Sequence, residues 1–219
     1  MKRVLIALLL GTVAVTPMSR LHAQGAFDMS EFFVGDSSTW PRTGGQLMNQ
    51  VSGNYTQTFV KWGQPWSYEE YYADAAVNIY FWEDHTANDT GPYRFSDRLW
   101  LNRMMSVNDE IDHPNNVLTQ LDQTCNIVGT SNFPYKTKIE AYWPAYNTGS
   151  DLGTRDMILM NYIPYNNHGY FERFYFARGA GWAGWEMWDN GSMGMQVLFT
   201  TFGGPNTQPN APCFAPPTP

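Results

Sequence analysis

Turn-forming clusters interrupt this chain too often for a helical fold. Gly63-Gln64-Pro65, Asn88-Asp89-Thr90-Gly91-Pro92, His113-Pro114-Asn115-Asn116, Asn147-Thr148-Gly149-Ser150 and Asn190-Gly191 divide it into short runs. Gly, Pro, Asn and Asp at these points supply the dihedrals that reverse a chain. The runs between them are rich in Tyr, Phe, Trp, Val and Ile, side chains that pack on a pleated, half-buried surface. Strands are expected at 57–62, 68–73, 76–83, 93–96, 98–105, 135–142, 156–162, 171–178, 182–189 and 196–202. Short strands at this spacing predict an all-β single domain, a jelly-roll-like antiparallel β-sandwich. Residues 27–53 read as a leading segment packed across a sheet end, with one short strand at most. Asn116–Thr124 (NVLTQLDQT) is the one stretch with a helical reading.

The two ends read differently from the middle. MKRVLIALLLGTVAVTPMSRLHAQ opens with Lys2 and Arg3, continues through an apolar run from Val4 to Val15, and closes on Leu21-His22-Ala23. This is the pattern of a secretory signal peptide over 1–23, so a secreted or periplasmic location is expected. The apolar run is too short for a membrane span. The sandwich domain is assigned to 24–204, and the Pro-rich stretch 205–219 to a tail that cannot hold a ladder. Cys125 and Cys213 are the only cysteines. In an exported protein they are expected to form one disulfide that tethers this tail. Closing so long a loop is worth about 4 kcal/mol in the chain-entropy account.

Charge excludes one class of partner. Losing Lys2, Arg3 and Arg20 takes the chain from 13 basic residues to 10, against 20 acidic ones, a net charge of −10. With no local basic patch, that balance repels phosphate backbones, and nucleic acid is not an expected partner.

Two stretches carry the functional reading. In AAVNIYFWED, Val77, Ile79 and Phe81 alternate with Asn78, Tyr80 and Trp82. Period two sends the first set to the core and the second to the opposite face. YFERFYFARGAGWAGWEMWD reads as a hairpin turning at Gly179-Ala180. A two-residue or four-residue loop gives one register; a three-residue loop breaks it. On the core face this register sets Phe176 against Ala183, Phe174 against Trp185 and Glu172 against Met187. On the other it sets Ala177 against Trp182, Tyr175 against Gly184, Arg173 against Glu186 and Phe171 against Trp188. An Arg–Glu pair is costly to desolvate, so the second face is expected to be at least partly wet. Rings beside hydrogen-bonding charges suit sugars: rings stack on the apolar face of a pyranose, and charged groups take its hydroxyls.

Tyr80, Trp82, Arg173, Tyr175, Trp182, Glu186 and Trp188 are therefore the expected ligand-binding residues. The expected function is that of a secreted glycan-binding protein whose partner is a polysaccharide or oligosaccharide. Two other functions are compatible with the same pattern. One is a glycan-degrading enzyme, a glycoside hydrolase or polysaccharide lyase, with Glu186 as acid/base and Asp74, Glu70 or Glu140 as partner carboxylate. The other is an extracellular or envelope structural protein whose rings bury against a protein partner. G-x-S-x-G, H-E-x-x-H and P-loop motifs do not occur. No cofactor or catalytic metal is expected. Two acidic loops suit a structural calcium ion at most: Asp109, Glu110, Asp112 and His113 in one, and Glu83, Asp84, His85, Asn88 and Asp89 in the other. Both read better as solvated loops.

Overall fold

The computed structural model describes residues 25–33, 39–42, 45–52, 55–62, 69–74, 78–84, 92–147, 152–198 and 213. The expected signal peptide, all of the tail except Cys213, and Val77, His85, Asn88 and Asp89 lie outside the described residues.

The elements follow one another as β1 (Phe27–Asp28), α1 (Ser30–Phe33), β2 (Thr39–Arg42), β3 (Gly45–Ser52), β4 (Tyr55–Trp62), β5 (Glu69–Asp74) and β6 (Asn78–Asp84). Next come β7 (Tyr93–Phe95), β8 (Leu99–Asn102), β9 (Met104–Met105), β10 (Glu110–His113), β11 (Val117–Leu121) and β12 (Ile127–Asn132). The chain continues through β13 (Tyr135–Asn147), β14 (Thr154–Pro164), β15 (Tyr170–Ala177), β16 (Gly181–Asp189) and β17 (Ser192–Leu198). The fold is nearly all antiparallel β, as the turn spacing predicts.

One large sheet runs β10-β13-β14-β15-β16-β17 and the other runs β12-β11-β7-β6-β5-β4-β3-β2, with β8 also on β6; β1 and β9 pair in a separate two-stranded sheet. The inner faces of the two large sheets share one core. Ile79, Phe81, Phe95, Trp100 and Leu101 from the second sheet meet Tyr135, Ile139, Ile158, Met160, Tyr162, Phe174 and Phe176 from the first. Trp100 sits between them, with ring centroids 5.2 Å from Phe81, 5.6 Å from Tyr162 and 6.1 Å from Phe174. The architecture is therefore a β-sandwich. Within each sheet most neighbours are consecutive hairpins, β2 through β6 and β13 through β17. Between these two meanders the chain crosses from the larger sheet to β10, back to β11 and β12, and over again to β13.

Several elements differ from the sequence reading. The stretch with a helical reading forms β11, because Val117–Leu121 finds ladders on both sides, with β7 and β12. Pairing of this kind overrides a weak helical propensity. The leading segment holds more strand than expected, since β2 and β3 extend the larger sheet. Pro41 is tolerated because, among the described residues, β2 is the sheet's last strand and pairs on one side only. The end-packing expectation holds for α1 instead. Phe32 and Phe33 are buried there; Phe33 stacks on Phe176 at 4.0 Å, and Phe27 on Tyr142 at 4.6 Å. Arg178 closes over this plug, paired with Glu31 and lying 4.6 Å from the Phe32 ring centroid.

The central hairpin keeps its expected register by an unexpected route. The pairs Phe171–Trp188, Glu172–Met187, Arg173–Glu186, Phe174–Trp185 and Tyr175–Gly184 all form. The loop between the paired residues Ala177 and Gly181, however, has three residues, with positive φ at Gly179 (70°) and at Gly181 (77°). A three-residue loop shifts the register by one, and a bulge shifts it back: Phe176 pairs with Trp182, and Ala183 has no opposite residue. Trp182 thereby moves to the core face. It is 2 % exposed, its ring centroid is 5.4 Å from Phe174, and its Nε1–H donates to the Gly184 carbonyl at 2.7 Å.

Cys125 and Cys213 form the expected disulfide. The Cys213 N–H also donates to the buried Glu83 carboxylate at 2.8 Å, so this point of the tail is held at β6 as well as at the β11–β12 turn. That turn is built around Asp122, whose carboxylate accepts the N–H groups of Thr124 and Asn126. Those bonds hold its pKa down at about 2.

Candidate functional site

The outer face of the six-stranded sheet carries most of the expected residues. β14, β15 and β16 lay Asn161, Arg173 and Glu186 side by side across three strands. Arg173 pairs with Glu186 at 3.6 Å, and Trp188 Nε1–H donates to the same carboxylate at 2.8 Å. Two residues along β15, the Tyr175 hydroxyl joins this group. Burial, then the neighbouring Glu186 carboxylate, push it up to about 12.

Two ring pairs bracket this polar row. Phe171 and Trp188 lie 5.9 Å apart with planes 4° from parallel. Trp143 and Tyr175 lie 6.3 Å apart at 14°. Trp143 reaches this face because β13 bulges between Ile139 and Ala141, which turns Tyr142 inward and Trp143 outward. The Arg173 guanidinium sits 5.3 Å from the Phe171 centroid and 5.0 Å from that of Trp188, fixing it against the first pair. Two buried polar atoms in the row have no protein partner, Arg173 Nε and Asn161 Oδ1. Two further ion pairs lie here: Lys138 pairs with Glu140 at 3.2 Å and Lys136 with Glu110 at 3.1 Å.

Arg173, Tyr175, Glu186 and Trp188 are thus brought together, and three expected partners are not. Trp182 belongs to the core, because of the bulge at Ala183. Tyr80 is on β6 in the other sheet, half-buried on the face opposite Ile79 and Phe81. Trp82 lies on the same strand, with its side chain outside the described residues. A sandwich turns the outer faces of its two sheets away from each other, so the two aromatic stretches do not make one surface. The same reason separates Glu186 from Glu70 and Asp74, which lie on β5. Glu140 alone of the three candidate partner acids shares its sheet, and it is tied to Lys138.

The acidic loop readings are also corrected. Glu110 to His113 form a strand, and their side chains point to separate partners. Asp112 accepts the Tyr165 hydroxyl at 2.8 Å, His113 meets Asp97 at 2.8 Å, and Asp109 accepts the Ser106 N–H at 2.8 Å. Glu83 and Asp84 are buried rather than solvated. Among the described residues, no three acidic, His or Cys side chains are grouped to hold a metal ion.

The structure also holds a concave feature that no sequence motif marks. A cavity of about 490 Å³ opens between the sheets at one end of the sandwich, lined in part by Tyr93, Phe133, Tyr162, Tyr170 and Glu172. The Glu172 carboxylate accepts the Tyr170 hydroxyl at 2.5 Å and the Trp185 Nε1–H at 2.7 Å. Burial raises its pKa against the pull of those two bonds, and nearby Asp84 raises it further. Asp84 accepts the Tyr93 hydroxyl at 2.8 Å. It reaches this end because β6 bulges where Tyr71 pairs with Glu83 and Tyr72 with Phe81, passing over Trp82. Glu172 was legible in part, since an acid that alternates with Phe174 and Phe176 falls on the core face. Asp84 was not, because the bulge changes its side. Comparison of the chain with family models, curated proteins and solved structures finds no match.

Proposed function

We propose that the protein binds uncharged polysaccharide on the outer face of its six-stranded sheet. The observation that carries this reading is two near-parallel ring pairs set on either side of the Asn161–Arg173–Glu186 row. Flat rings offer apolar contact to pyranose C–H faces. Between them, the Arg173–Glu186 pair and Asn161 place polar side chains in one row across three strands. The class of glycan follows from charge. Arg173, Lys136 and Lys138 each have an acidic partner within 4 Å, which lowers their attraction for a uronate or sulfate. Binding is favoured over hydrolysis because Glu186 and Glu140 are both engaged by basic partners.

The test is a titration of soluble neutral and acidic polysaccharides against intrinsic tryptophan fluorescence, with reducing ends assayed in the same samples. A neutral glycan is expected to shift the spectrum without new ends. Trp188→Ala is expected to weaken binding about tenfold, corresponding to about 1.4 kcal/mol. New reducing ends lost in Glu186→Gln would replace this reading with that of an enzyme. Silence with every glycan would remove it.

A further inference from the structure

We propose that the cavity between the sheets is a binding site for a quaternary or tertiary ammonium group, separate from the outer face. Its walls are aromatic on several sides: Tyr93 from β7, Phe133 ahead of β13, Tyr162 from β14 and Tyr170 from β15. The rings are held in place rather than merely present. Tyr93 and Tyr170 are each anchored through the hydroxyl to a carboxylate, Asp84 and Glu172. Phe133 stacks on Phe95 at 5.8 Å, and Tyr162 is wedged against Trp100 at 5.6 Å. Exposed Asn166 and Asn167 border the cavity, which gives it a wet side through which a solute enters.

The electrostatics select the ligand. The two hydrogen-bond donors at Glu172 are neutral, a phenol and an indole. Nearby Asp84 adds to the cost of placing a negative charge on Glu172. One acid, Glu172, therefore lines this cavity, and among the described residues its hydrogen-bond partners are neutral. Apolar contents would leave the carboxylate desolvated and uncompensated, and an anion would be repelled. A compact hydrated cation would gain little from the rings. An alkylated ammonium satisfies both features: its methyl groups pack on the ring faces, and its charge interacts with the ring quadrupoles and the carboxylate. A volume of about 490 Å³ accommodates such a head group with room to spare.

The experiment compares choline with its uncharged isostere, 3,3-dimethyl-1-butanol, by isothermal titration calorimetry on the intact protein. Choline is expected to bind at least tenfold more tightly than the isostere. Glu172→Gln is expected to reduce choline affinity at least tenfold and to leave the isostere unchanged. Equal affinity for the two compounds overturns the proposal, as does the absence of choline binding up to tens of millimolar, or a Glu172→Gln protein that binds choline as the wild type does. The two-ligand comparison needs no variant, so a misfolded Glu172→Gln protein does not remove the test. The same head group occurs on free solutes and on phosphocholine lipids, and co-sedimentation with phosphatidylcholine vesicles separates them. Choline binding without vesicle retention assigns a free solute; retention that choline displaces assigns the lipid head group.

Discussion

Replacing Trp182 with Ala tests the bulge that separates the core from the outer face. With regular alternation from the hairpin turn, Trp182 stands on the outer face beside Trp188. With the bulge at Ala183 it stands in the core, 2 % exposed. The two placements predict different thermodynamics. A buried Trp removes about 200 Å² from water. At about 25 cal/mol per Å² this is near 5 kcal/mol, an upper estimate because the denatured chain is already partly collapsed. Truncations of large buried aromatics cost about 3–5 kcal/mol. The lost bond from Nε1–H to the Gly184 carbonyl falls within the same total. A loss of about 4 kcal/mol is therefore expected for Trp182→Ala, and less than about 1.5 kcal/mol for half-exposed Trp188→Ala. Urea unfolding followed by far-UV circular dichroism measures both. With a slope of about 2 kcal/mol/M, the Trp182→Ala midpoint falls by about 2 M. The reasoning is refuted if Trp182→Ala costs less than about 1 kcal/mol and weakens saccharide binding instead.

Two further perturbations follow from the structure. Cys213→Ser opens a loop whose ends are 88 residues apart and is expected to cost about 4.5 kcal/mol in the chain-entropy account, read from denaturant midpoints under non-reducing conditions; an unchanged midpoint would show that the tether constrains nothing. Glu172→Gln is expected to alter the pH dependence of stability. The folded chain holds the Glu172 proton more tightly than the unfolded chain does, so this contribution to wild-type stability is present at low pH and lost as pH rises through the raised folded pKa. Melting temperatures of variant and wild type are then expected to diverge from about pH 4 upward, with the variant gaining. A constant offset across that range would contradict the buried-acid assignment.

Much of the fold was legible because its signals are local. Turn residues mark chain reversals whatever surrounds them, and the alternation at Ile79 and Phe81 predicts the buried side of β6 directly. The pairs from Phe171–Trp188 to Tyr175–Gly184 match the register of a two- or four-residue loop, although a three-residue loop and a compensating bulge produce them. That register places Arg173, Tyr175, Glu186 and Trp188 on one face. The one disulfide follows from a count of two cysteines. These features need no knowledge of what the rest of the chain does.

The remainder depends on contacts distant in sequence. A one-residue bulge leaves composition and period almost unchanged, yet it reverses the side of every residue between the bulge and the turn, and so moves Trp182 from the ligand face to the core. The bulge in β6 similarly brings Asp84 toward Glu172, 88 positions away in the chain. Stacking of the two sheets turned Tyr80 away from Trp188, although both lie in similar aromatic strands. Sequence alone determined which residues alternate and where the chain turns. Only the tertiary structure decided which alternating set meets which, because a cavity between sheets is formed by side chains that share no local signal.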